Sequence, residues 1–233
     1  MPTALLWGAV AASSLIVGAV AGVVRDWHPR LIGLVLGFGA GALVASISFE
    51  LAEEGFQVGG ALPVAAGLAV GGLLFYLADL GVIRLGGRGG QAGLPLALGA
   101  LLDGIPEQAV LGIGVASGGA VSISLLVAIF VSNLPEAIGS ADDLKRAGRP
   151  ASHILAGWSA VAAMCVAATA AGYLLQAFAG NEFQGGIDGF AAGALLVMLV
   201  TSMIPESTEK AGRQAGLAAV LGFAVAAGLS LSR

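Results

Sequence analysis

Apolar residues run along this chain in blocks of about 20, too long for the strands or amphipathic helices of a water-soluble core. The blocks fall at about 3–24, 31–52, 61–83, 94–117, 121–142, 153–178, 187–206 and 214–231. At about 1.5 Å per helical residue, each can cross a hydrocarbon layer of about 30 Å. The segments between them are short and polar or Gly-rich, for example Arg25-Asp26-Trp27-His28-Pro29-Arg30 and Gly86-Gly87-Arg88-Gly89-Gly90. The pattern predicts an all-α polytopic membrane protein with eight transmembrane helices in a single domain over 1–233.

Composition narrows the class further. The 233 residues include 10 Lys+Arg and 14 Asp+Glu, or 10% charged, with a mean hydropathy of +0.95. Soluble domains carry about 25% charge, so too little remains here to coat a water-facing surface. The 38 Gly residues suit close packing of membrane helices. Cys165 lies alone inside an apolar run, which excludes a disulfide scaffold and a Cys-based zinc site. A net charge of −4 without a basic patch argues against nucleic acid. The first apolar run lacks a basic n-region and is expected to be a retained helix rather than a cleaved leader.

Basic residues set an expected orientation. Arg25 and Arg30 lie between helices 1 and 2, and Arg84 and Arg88 between 3 and 4. Lys145, Arg146 and Arg149 follow helix 5, and Lys210 and Arg213 separate 7 from 8. Only Arg233 falls on the other side. By the positive-inside rule both termini face outside, in a plasma or bacterial inner membrane.

Helices 2 and 7 share a sequence. Gly37-Phe38-Gly39-Ala40-Gly41-Ala42-Leu43 aligns with Gly189-Phe190-Ala191-Ala192-Gly193-Ala194-Leu195, and the same register sets Glu54 opposite Glu206. The two helices run in opposite directions under this topology, so the match predicts an inverted repeat. Secondary transporters built on such repeats bind substrate near the midplane.

Polar motifs interrupt three helices: Asp103-Gly104-Ile105-Pro106-Glu107, Ser132-Asn133-Leu134-Pro135-Glu136 and Ile204-Pro205-Glu206. The first two fall near the centres of helices 4 and 5. Each proline removes a helical hydrogen bond and clashes with the carbonyl four residues earlier, at Leu102 and Val131. A kink is expected at each, facing a cavity or protein rather than lipid. The i, i+4 spacing puts Asp103 and Glu107 on one face, and Ser132 and Glu136 on another. An ionised carboxylate at mid-membrane costs roughly 3 kcal/mol on insertion scales, or on the order of 9 for three. With every basic residue expected in a connection or at the chain end, the acids need protons, water or a cation from outside. This points to a cation or proton pathway.

These motifs resemble those of the ZIP family of metal transporters. That resemblance implies eight helices with both termini outside, and an inverted repeat of helices 1–3 and 6–8 around helices 4 and 5. It also implies a metal site on helices 4 and 5, where the family carries His-Asn-x-Pro-Glu and a second motif ending in Pro-Glu. Here Asp103 stands at the histidine position, Gly104 at the asparagine position, and Pro106-Glu107 match; Pro135-Glu136 match on helix 5, with Ser132 and Asn133 at the variable ligand positions. Helix 6 has no acid for a second metal, which marks a divergent branch lacking the histidine ligand.

The expected metal ligands are therefore Asp103, Glu107, Asn133, Glu136 and Ser132, with Glu107 and Glu136 shared or bridging. Oxygen donors suit Mn²⁺ or Mg²⁺, and zinc also accepts carboxylates. The expected function is transport of a divalent cation of the zinc, manganese or iron class, with that ion as substrate and no resident cofactor. Glu50, Glu54 and Glu206 are entrance or exit candidates. Partners are the cation and the lipid bilayer, with a homodimer left open. Two rivals remain: a proton-coupled transporter of a small organic solute, and a non-transporting scaffold derived from the family. No protease pattern suggests an enzyme.

Overall fold

The computed structural model describes residues 1–84, 94–116, 123–176 and 180–231, apart from the side chains of 94–100, 103 and 124. The described residues are helical with short connections, and contain no strand. The helices are α1 (Pro2–Val24), α2 (Pro29–Gly59), α3 (Ala61–Arg84), α4 (Leu94–Ala116), α5 (Ile123–Arg146), α6 (Ala151–Gln176), α7 (Asn181–Ala211) and α8 (Gln214–Leu231). Among the described residues, seven are long and apolar enough to cross a membrane, α4 not being one of them.

Two helices outrun their apolar blocks. The block at 31–52 extends as α2 to Gly59, and that at 187–206 extends as α7 from Asn181 to Ala211. Glu53, Glu54 and Lys210 therefore lie on helices, because good helix formers continue a helix beyond its apolar part. Local signals fix the ends. Pro29 opens α2 with His28 as its cap, the Arg30 amide donating to His28 Nδ1 at 3.2 Å. Gly60 (φ 83°) and Gly212 (φ 59°) follow the ends of α2 and α7 in a backbone region that disfavours side chains. Lys145 on α5 ties down the end of α1, donating to Gly22 O and Val23 O and pairing with Asp26 at 2.8 Å. The hydrogen bond from Lys145 holds the Asp26 carboxyl below its usual value.

The prolines do not break their helices: α4 and α5 run through Pro106 and Pro135. The irregular backbone lies elsewhere. Ile47–Ala52 in α2 and Leu199–Met203 in α7 are widened, π-type turns. An expanded turn adds a residue and rotates the remainder of the helix about its axis, a feature frequent at functional sites. The two turns begin 152 positions apart, in the register that aligns Gly37 with Gly189.

Packing follows the small residues. α2 and α7 lie antiparallel: Gly33 near the start of α2 meets Lys210 and Ala211, while Gly55 near its end meets Asp188. On α2, Gly37 and Gly41 let Ala215 and Ala219 of α8 approach backbone to backbone; on α7, Gly189 and Gly193 do the same for Val64 and Leu68 of α3. α4 packs on α6 through Gly112 and Gly172, and α1 packs on α5 through Gly18 and Gly22. The principal core, including Leu36, Leu43, Ile129, Leu195 and Leu199, is shared by α2, α5 and α7. α3 and α8 are the most peripheral spans, with Leu62, Leu73, Leu217 and Leu221 exposed. Such faces suit lipid.

Candidate functional site

Glu107 on α4 and Ser132 on α5 meet where these helices cross. Both are buried, at 1% and 4% exposure, and the Ser132 hydroxyl lies 3.2 Å from Glu107 Oε1, which it can reach as donor. The same hydroxyl lies 3.0 Å from Ile129 O, so its single proton serves one acceptor at a time. Asn133 is buried at 2% exposure, and its side-chain Nδ2 has no hydrogen-bond partner among the described residues. Glu136, one turn further along α5, is half-buried.

Two more helices complete the surroundings. Gly39 of α2 lies over Ser132: a Cβ there would sit 3.1 Å from Ser132 Cα and 2.9 Å from Met203 Cε. Met203 belongs to the widened turn of α7. The polar centre is therefore walled by α2, α4, α5 and α7, and the missing side chain at Gly39 permits that closeness. On the far side, Cys165 of α6 packs where a Gly104 side chain would project, 2.8 Å from such a Cβ. It stands within electrostatic reach of both Glu107 and Glu136.

The expected ligands are thus brought together only in part. Glu107 and Ser132 are in contact, with Asn133 beside Ser132 on the same helix. Asp103 is on α4, and its side chain lies outside the described residues. Among the described residues, no three His, Cys, Asp or Glu side chains form a group able to hold a metal ion. The entrance and exit candidates are elsewhere. Glu50 Oε1 accepts a hydrogen bond from Ser230 of α8 at 2.8 Å. Glu54 is exposed, and acts electrostatically on the buried Asp188. Glu206 pairs with Lys210 at 2.6 Å on the last turns of α7.

No family model matches the chain. Over 221 residues it is 27% identical to an Arabidopsis thaliana protein named "Putative zinc transporter". The alignment covers 90% of this chain and 35% of that protein, so the chain spans about a third of its relative's length. The likeness therefore runs through nearly all of this helical bundle.

Sequence reasoning missed three polar positions. Gln108, fully buried beside Glu107 in the chain, accepts a hydrogen bond from Thr169 of α6 at 2.6 Å. Thr169 in turn fills the space left by Gly8 of α1. Asp188 is buried against Gly55. The available signal for Thr169 and Asp188 was a polar residue alone in an Ala/Gly-rich run, and for Gln108 its place next to Glu107; each marks a side chain facing protein rather than lipid. One expectation is corrected outright. Arg30, Arg84, Lys145, Arg146 and Lys210 lie in the end turns of helices, not in connections, and the Lys210 side chain is only 25% exposed. A half-buried basic partner for Glu206 therefore stands at the end of the bundle.

Proposed function

We propose that the chain transports a divalent metal cation of the zinc, manganese or iron class across a cell membrane, through a carboxylate site between α4 and α5. The observation that carries this is Glu107: a carboxylate placed mid-helix and 1% exposed, joined across the helix interface to Ser132. An acid held at such depth marks an ion or proton pathway. The likeness to a protein named as a zinc transporter favours a metal. Glu107 and Glu136 supply the principal oxygens, Asp103 a terminal one, and Asn133 and Ser132 neutral donors. These groups gather around the ion as it arrives.

The same proposal takes the chain as a divergent ZIP-type transporter with eight spans, α4 included, and both termini outside. The paired widened turns at 152 positions' separation support an inverted repeat of α1–α3 and α6–α8. So does the packing, in which α2 meets α8 as α7 meets α3. Access alternates as α2 and α7 shift against α4 and α5. Glu107→Ala and Glu136→Ala are expected to abolish cation uptake into proteoliposomes while the protein still inserts. Unchanged flux of every cation tested in both variants refutes this.

A further inference from the structure

Asp188 lies near the start of α7 and is only 4% exposed. Its Oδ2 is buried and has no hydrogen-bond partner among the described residues. Three helices close around it. A Cβ on Gly55 of α2 would sit 3.1 Å from Asp188 Cβ and 3.1 Å from Val64 Cγ2 of α3. One turn further along α2, a Cβ on Gly59 would sit 2.6 Å from Gly185 Cα of α7. Glycine and valine thus fill the space around the carboxyl without offering it a side-chain donor. Because Gly55 has no side chain, Asp188 lies directly against the turn of α2 that carries Glu54. That second carboxylate is exposed and stands within electrostatic reach of the first. None of the ion pairs among the described residues includes Asp188. Those of Lys145, Arg146 and Lys210 lie at the opposite end of the bundle, where a Cβ on Gly139 of α5 would sit 3.2 Å from Lys210 Nζ.

A carboxylate that is buried, without a donor and beside a second acid is stable only with a positive charge at hand. A proton neutralises one of the two acids. A divalent cation neutralises both, and takes hard oxygen donors from each. We propose that Asp188 and Glu54 form a second binding site for a divalent cation, between the ends of α2 and α7 opposite Lys210. Glu54 takes the ion from water, and Asp188 holds it from within the bundle. Asp188 precedes Met203, which walls the polar centre, by fifteen residues, or roughly 20 Å of helix. The two sites are therefore distinct. That this one feeds the central carboxylates rests on the transport reading; that it binds an ion does not.

Equilibrium dialysis of the purified full chain against Zn²⁺ in detergent counts bound ions without requiring transport. Asp188→Asn keeps the shape of the side chain and should bind one Zn²⁺ fewer per chain than the wild type. In a chain with Glu107→Ala and Glu136→Ala, which lacks the principal oxygens of the central site, the second ion should remain. Adding Asp188→Asn should then remove it. Glu54→Gln, at an exposed position, should weaken that ion by roughly tenfold or more. If Asp188→Asn does not fold, Glu54→Gln decides alone. An unchanged ion count in folded Asp188→Asn overturns the proposal, as does a Glu54→Gln affinity equal to that of its parent. So does the absence of any bound ion in the central-site variant, in which case Asp188 holds a proton instead. Failure of the central carboxylate site looks different: its variant binds as many ions as the wild type, and Asp188→Asn still removes one.

Discussion

A buried carboxylate next to a serine hydroxyl has two ways to be satisfied, and the geometry at Glu107 holds both open. Ser132 can turn its proton to the carboxylate or to the Ile129 carbonyl, at 3.2 and 3.0 Å. When a cation occupies the carboxylate, the hydroxyl can release it and bond the carbonyl without leaving either group bare. A hydrogen bond to a charged group contributes about 1.5–3 kcal/mol, and about 1.4 kcal/mol is a tenfold change in an equilibrium constant. Once released, the hydroxyl oxygen is free to donate to the ion, so Ser132→Ala should raise the apparent KM for the cation by roughly tenfold, leaving insertion intact, whereas Ser132→Thr keeps the hydroxyl and most of the affinity. Uptake kinetics over a range of cation concentrations measure this, and an unaltered KM in Ser132→Ala removes the hydroxyl from the site. Gly39 matters for a different reason: the backbone of α2 touches Ser132 only because position 39 carries no side chain.

Helix contacts in this bundle divide glycines into two kinds, with opposite expectations. At Gly41 and Gly193 a Cβ would collide with the carbonyls of Ala219 and Leu68, backbone atoms that cannot turn away. Overpacking costs about 1–3 kcal/mol where side chains can adjust, so Gly41→Leu and Gly193→Leu should fall at or above that range. Gly157 on α6 has nothing within 4 Å among the described residues, and Gly157→Ala should be neutral or stabilising by up to about 1 kcal/mol. Thermal unfolding in detergent separates the two sets; equal losses at Gly41 and Gly157 would contradict the packing. How far the sequence reveals such elements depends on the physics behind each. Apolar length located each helix among the described residues, because the cost of exposed backbone in lipid leaves few alternatives. Helix ends were less legible, since Glu53 and Lys210 look like connection residues yet favour helix once outside the apolar layer. Proline pointed to irregular backbone at Leu102 and Val131, where both helices continue, while the widened turns at Ile47 and Leu199 contain no proline. The contact of Glu107 with Ser132 follows from their motifs. The approach of Lys210 to Gly139 does not, because it joins helices far apart in the chain.

At the scale of the described bundle, α2 packs on α8 as α7 packs on α3, and α2 and α7 each carry a widened turn. In the transport reading proposed above, such paired contacts are what two halves exchanging roles around α4 and α5 would need. The packing also fixes which ends of the helices share a side. The α5–α6 connection at Arg149 lies at the end where α1 meets α2, through the Lys145–Asp26 pair. Gln57 and Asn181 lie at the ends of α2 and α7 that meet through Gly59 and Gly185. Positive-inside accounting assigns the Arg149 end to the interior. The native background is silent for thiol labelling, since Cys165 is buried at 0% exposure. A single new cysteine at Arg149, Gln57 or Asn181, all exposed, therefore reports its own side. In intact cells a membrane-impermeant maleimide should modify Gln57→Cys and Asn181→Cys, and should reach Arg149→Cys only after permeabilisation. Reversed sidedness would invert the proposed pathway, placing Glu206 at the outer mouth and Glu54 at the inner one. Labelling of all three from outside would break the two-sided arrangement itself.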